Sequence, residues 1–128
     1  MNELERKAGM PETPGYAYAR RDGNRLYVAG QLPINAEGDI TGKNDAYAQA
    51  KQCLANLAAV LGCYDFNLND VHQMTIYVAG DREALTEAWR SVREQFADAV
   101  PPAALIGVAL LGYDEQLVEI DATVVKRP

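Results

Sequence analysis

The sequence predicts an α+β fold, a mixed β-sheet carrying two helices on one face. Three observations lead there. Two stretches, Asp45–Leu61 and Arg82–Ala97, repeat apolar residues at three- and four-residue steps. Short apolar runs suited to strands lie before, between and after them. The last stretch, Val100–Val125, holds two such runs, Leu105–Leu111 and Leu117–Val125, around a polar corner at Gly112–Gln116. The order is strand, strand, helix, strand, helix, strand, strand, with no repeat or linker dividing it.

Residues 1–13 hold mixed charge, Gly9 and Pro11, and no sustained period, which predicts a mobile or loosely docked arm. Tyr16–Ala19 and Arg25–Ala29 predict two short strands joined through Asp22-Gly23-Asn24, a hairpin turn signal. Gly30 followed by Pro33 ends the second strand and leaves its backbone open, and 35–44 is a loop with Gly38 and Gly42.

In the first helix Tyr47, Ala50, Leu54, Leu57 and Leu61 form the stripe, which Cys53 and Val60 widen. Asn44 or Asp45 caps its start and Gly62 ends it in a left-handed conformation. Asn56 lies beside the stripe, where an amide bonds a neighbouring loop's backbone more often than a ligand. Cys53 reads as a core residue rather than a nucleophile, since no base stands near it in sequence.

Val71–Val78 predicts a strand with Met74, Ile76 and Val78 on one face, and His72 sharing that face. Asp81 caps the second helix, whose stripe is Leu85, Ala88, Trp89, Val92 and Phe96. Trp89 is a core anchor large enough to wall a pocket. Leu105–Leu111, apolar on both faces, suits a central strand buried on both sides, and the corner after it suits a hairpin or short loop. Glu119 stands alone among apolar neighbours: it alternates out to water with Asp121 or faces a partner or ligand, because burial unpaired is too costly. The second face of strands apolar on both sides needs a cover, which predicts oligomerisation through the sheet.

The chain has 128 residues and a net charge of −6, which suits one domain, 1–128, burying about two-thirds of its extended surface. An acidic chain without a basic run is a poor partner for nucleic acid. No stretch is long and apolar enough to span a membrane, and the charged start lacks the apolar core of a secretory signal. Two cysteines, Cys53 and Cys63, without metal-like spacing to the sole histidine, His72, predict reduced thiols and a cytoplasmic location.

Several pieces resemble the RidA (YjgF/YER057c/UK114) family, in its order and near its spacing. They are Gly15-Tyr16-Ala17-Tyr18-Ala19, Leu26-Tyr27-Val28-Ala29-Gly30-Gln31-Leu32-Pro33, Gln49 with Leu54-Ala55-Asn56-Leu57, Thr75-Ile76-Tyr77-Val78, Pro101-Pro102 and Val118-Glu119-Ile120-Asp121-Ala122. The resemblance implies a chorismate-mutase-like fold assembled as a homotrimer, with an inner β-barrel, helices outside and small-molecule ligands in intersubunit clefts. It implies hydrolysis of reactive enamines and imines to a carbonyl compound and ammonia, without metal or organic cofactor. Carried over by position, Glu119 would orient or deprotonate the attacking water, Tyr16 would line the pocket, and Gly30 and Gln31 would border it.

Three positions depart from the family's pattern. Ala103, with Ala104 next to it in the substrate-binding stretch, stands where active deaminases carry an arginine that grips the substrate carboxylate. Ala29 replaces a serine, and Trp89 falls where an asparagine often reaches a neighbouring pocket. A hydrogen bond to a charged group contributes about 1.5–3 kcal/mol, so losing a bidentate pair weighs heavily against a small anionic substrate. The expectation is therefore a deaminase acting on a larger or less anionic substrate, with Trp89 as an apolar wall. The alternative is a catalytically silent small-molecule-binding or regulatory trimer. A ribonuclease-type activity ranks last, for want of a basic groove.

Overall fold

The computed structural model describes residues 1–127. Five strands, β1 (Ala19–Asp22), β2 (Arg25–Gln31), β3 (Val71–Val78), β4 (Ala103–Gly107) and β5 (Val118–Val125), form one sheet in the order β1-β2-β5-β3-β4. All neighbours are antiparallel except β3 and β4. The helices are α1 (Glu3–Lys7), α2 (Ala46–Cys63) and α3 (Arg82–Phe96).

The two long helices start where their caps place them. Asp45 Oδ1 accepts the Ala48 N–H at 3.0 Å, and Asp81 Oδ1 accepts that of Ala84 at 2.9 Å. Helix α2 runs through Gly62 instead of ending there, and the left-handed residue past its end is Asp65, at φ 63°. Both helices lie on one face of the sheet. Leu26, Val28, Met74, Ile76, Val118 and Ile120 meet Leu54, Leu57, Leu61 and Val92 there, all buried.

Several expectations change. The sheet is open: β1 and β4 are its edges, with the other strands between them, and no hydrogen bonds join the two. The inner β-barrel implied by resemblance is therefore not formed. The central strand is β5, flanked by β2 and β3, whereas β4 lies at an edge with all five residues exposed. The corner at 112–116 is no hairpin, because β4 pairs with β3 in parallel and β5 pairs with the other side of β3. His72 leaves the core face, because a bulge between Val71 and Gln73 buries Val71 and turns His72 out. Residues 1–13, expected as a loose arm, contain α1 and dock through Glu5, which is fully buried.

Candidate functional site

The site begins at an irregularity in β2. The pairing of β2 with β5 shifts register between Val28 and Gln31, so Ala29 and Gly30 bulge from the ladder. On its other side, toward β1, Ala29 N–H donates to Tyr18 C=O at 2.8 Å. The bulge brings the Gly30 backbone against the side chain of Glu119 on β5. A Cβ built on Gly30 would stand 2.1 Å from Glu119 Oε2 and 2.7 Å from Cδ, so only glycine fits beside that carboxylate as it lies.

Glu119 is half-buried on the face of the sheet away from the helices. Its Oε1 accepts Gln116 Nε2 at 3.2 Å, and among the described residues no cation pairs with it. Asp121, two residues on, accepts the Tyr77 hydroxyl at 3.1 Å. Behind β5 lies Cys53, whose thiol sits 3.6 Å from Val118 O. Burial first, and then the Glu119 charge, push that thiol well above its ordinary range. Tyr16 is also raised, by burial and then by its neighbours Tyr113 and Glu119.

Beside Gly30 opens a cavity of about 400 Å³, whose lining includes Tyr16, Gly30, Gln31, Asn56 and Tyr113. Asn56 frames it by donating to Leu32 O at 2.7 Å and Ile34 O at 2.9 Å, the loop-backbone role expected of it. Tyr16, Gly30 and Gln31 are thus brought together in the lining, whereas Glu119 is not part of it and reaches this group only by its contact with Gly30. The other three predicted residues lie elsewhere in the chain. Ala103 and Ala104 pair with Met74 and Thr75, across β3 from Glu119. Trp89 packs partly buried against the core and borders a surface depression with Arg90, Arg93 and Glu94.

Sequence reasoning misses Gln116 and Tyr113 as site residues. Both sit in the polar corner, where a glutamine and a tyrosine look like turn residues. Gln116 is in fact buried, bonding Val118 O at 3.1 Å as well as Glu119. Among the described residues, no group of three or more His, Cys, Asp or Glu side chains is placed to hold a metal ion.

The profile of the endoribonuclease L-PSP family matches residues 9–126. The chain belongs to this family, the RidA family. A RutC family protein of Pyrococcus horikoshii is 32% identical over 111 residues, covering 87% of this chain and 86% of that relative. The 2-iminobutanoate/2-iminopropanoate deaminase of Escherichia coli K12 is 27% identical over 108 residues, 82% of each chain. Among solved structures, the YjgF gene product of E. coli superposes with a TM-score of 0.83 at 26% identity, covering 94% of this chain and 95% of that one. RidA from an Antarctic Psychrobacter gives 0.81 at 26% identity, covering 92% and 94%. This RidA-family chain has no helix, among its described residues, long and apolar enough to cross a membrane.

Proposed function

We propose that this chain hydrolyses a reactive enamine or imine to a carbonyl compound and ammonia, on a substrate larger or less anionic than 2-iminopropanoate. The observation behind the reading is the Glu119 carboxylate, unpaired by any cation among the described residues and held against the glycine of the β2 bulge. The likeness to the 2-iminobutanoate/2-iminopropanoate deaminase supports the reaction class.

The chemistry asks little of the protein. The enamine tautomerises to its imine, whose carbon is already electrophilic. Glu119 orients a water and takes its proton as the C–O bond forms. That proton passes to nitrogen to give a carbinolamine, whose hydroxyl then yields its own proton to nitrogen by way of the same carboxylate; the C–N bond breaks and ammonia leaves a C=O behind. Tyr16, Gly30 and Gln31 border the substrate. Ala103, with Ala104 beside it, leaves the carboxylate grip of the family's arginine unfilled, which shifts the preference away from small anions. Trp89 serves as an apolar wall only across a cleft between copies, because within one chain it does not line the cavity. The assembly is a homotrimer with ligands in intersubunit clefts. The exposed Ile106 and Leu110, and an edge strand β4 exposed throughout, support burial against further copies. The same absence of a cation favours a second reading, a silent small-molecule-binding trimer. The endoribonuclease name of the family is the weakest fit, since a net charge of −6 opposes a phosphate backbone. A cytoplasmic site of action accompanies the reading.

The test is keto-acid release from imines generated in situ, from serine and from a bulkier apolar amino acid, with wild type, Glu119→Gln and Ala103→Arg. Acceleration on the apolar substrate that Glu119→Gln removes supports the hydrolase. Inert wild type with activity gained on the serine-derived imine in Ala103→Arg supports the silent binder. Sedimentation at micromolar concentration should give three times the 14.0 kDa of one chain, and a monomer mass refutes the trimer.

A further inference from the structure

The N-terminal segment is built into the cavity. Asn2 caps α1, its Oδ1 accepting Glu5 N–H at 2.9 Å. The fully buried Glu5 carboxylate accepts Tyr18 N–H at 3.1 Å, Ala19 N–H at 3.2 Å and the Tyr64 hydroxyl at 2.5 Å. The Tyr18 hydroxyl in turn donates to Pro11 O at 2.7 Å. These bonds fix the strap that follows α1. Its residues, Ala8 to Pro14, stand as one wall of the cavity beside Gly30.

The chemistry of the lining is one-sided. Met10, Pro11, Tyr18, Leu32, Ile34 and Tyr113 supply apolar surface. Glu12 is the only charged residue among the lining, and it pairs with Arg6 at 3.4 Å. No lysine or arginine lines the space among the described residues. Most amide donors are spent: Asn56 on Leu32 and Ile34, Gln52 on Asn56 Oδ1 at 3.0 Å, and Gln31 on Ala29 O at 2.9 Å. The side-chain oxygens of Gln31 and Gln52 accept no hydrogen bond from the described residues. They are acceptors waiting for a donor.

We infer that this cavity is a binding site for an uncharged, largely apolar small molecule with an N–H donor, such as an aromatic carboxamide, and that the Glu5-latched strap is its outer wall. The inference shares Tyr16 and Gly30 with the hydrolase reading and rests on it only there, since Glu119 does not itself line this cavity. A carboxylate in the same space would lose its hydration and gain no counter-charge.

Benzamide and benzoate are the probes, titrated into the full chain and followed by amide ¹H–¹⁵N shifts. Benzamide should move the signals of Ala8, Gly9 and Gly38 saturably, and benzoate should bind at least about tenfold more weakly. Gln52→Leu, which removes an acceptor from the cavity side of α2, should weaken benzamide about fivefold. Glu5→Gln, which loosens the strap, should weaken it as well. Equal binding of the two probes overturns the site. So do shifts that cluster away from the strap, no saturation at millimolar benzamide, or unchanged binding in both variants. Benzamide binding in a chain that hydrolyses nothing supports this site and refutes the hydrolase reading, so the two fail separately.

Discussion

Glu119 Oε2 occupies the space where a Gly30 side chain would begin, 2.1 Å from the point an added Cβ would take. The contact forms at the bulge between Val28 and Gln31, where Gly30 stands outside the regular register of β2 with β5 and the Glu119 side chain packs against its backbone. Glycine here is required by close approach rather than by an unusual φ. Gln116, bonded to Glu119 at 3.2 Å, holds the carboxylate from the other side.

Gly30→Ala should therefore act as a displacement of Glu119. The flexible carboxylate moves before the backbone does, so the fold survives at a cost of about 1–3 kcal/mol, typical of an overpacked contact. Hydrolysis should fall at least about tenfold, since misplacement of a reacting group is that costly. Urea unfolding beside keto-acid kinetics checks both parts. Unchanged kinetics would show that the position of Glu119 is irrelevant to the reaction.

The Glu5 latch should make stability depend on acid pH. Burial alone would raise this carboxyl, but the Tyr64 hydroxyl and the N–H groups of Tyr18, Asn2 and Ala19 together hold it below its ordinary 4.5. Burial, and then the bond to Glu5, push the Tyr64 hydroxyl up to about 12, so it remains a donor across the neutral range. A depressed folded pKa stabilises the fold fully above the ordinary value, and that stability is lost as pH falls through the folded one. Glu5→Gln cannot accept all of these bonds and should cost about 1–3 kcal/mol at pH 7. The gap to wild type should narrow below pH 4.5 and close at lower pH. A gap that stays constant with pH would mean the ionised form contributes nothing.

Legibility in the sequence follows the range of the interactions. Helices α2 and α3 and strand β3 declare themselves through spacing and caps that lie within a few residues of each other. The pairing of β4 does not. Its corner at 112–116 has turn chemistry, yet strand partnership is decided by α3 crossing over to set β4 parallel to β3. The face taken by His72 depends on a bulge, and one extra residue in a ladder leaves no periodic trace. The strap is illegible because its anchor is one acid whose partners lie 13, 14 and 59 residues away. In the site, Glu119 stands out as a charge among apolar neighbours, while Gln116 and Tyr113 are hidden in what reads as a loop.

Gln49 should prove as important to folding as any apolar core residue. It is fully buried on α2 and its amide is saturated. Nε2 donates to Gly42 O at 3.2 Å and Glu115 O at 2.8 Å, and Oε1 accepts Leu117 N–H at 2.6 Å and Val118 N–H at 3.3 Å. One side chain thus ties the loop before α2 to the entry of β5, just ahead of Glu119. Gln49→Leu keeps the volume but leaves buried backbone groups unpaired, which should cost at least about 2 kcal/mol. Thermal unfolding checks it, and a variant as stable as wild type would mean water replaces the amide.

Cys53 should be chemically silent although it lies behind Glu119. Its thiol is fully buried and held well above the usual range by burial and by the Glu119 charge, so almost no thiolate exists at neutral pH. Cys63 is also raised, by burial and then by Glu5, but it is partly exposed and is the thiol a reagent can reach. Ellman's reagent on the native chain should label one thiol, slowly. Cys63→Ala should abolish that labelling and Cys53→Ala should leave it. Cys53→Ala should also retain hydrolysis, at a stability cost of about 1 kcal/mol for the small cavity. Loss of activity in a folded Cys53→Ala chain would instead place the sulfur, and not only Glu119, in the reaction.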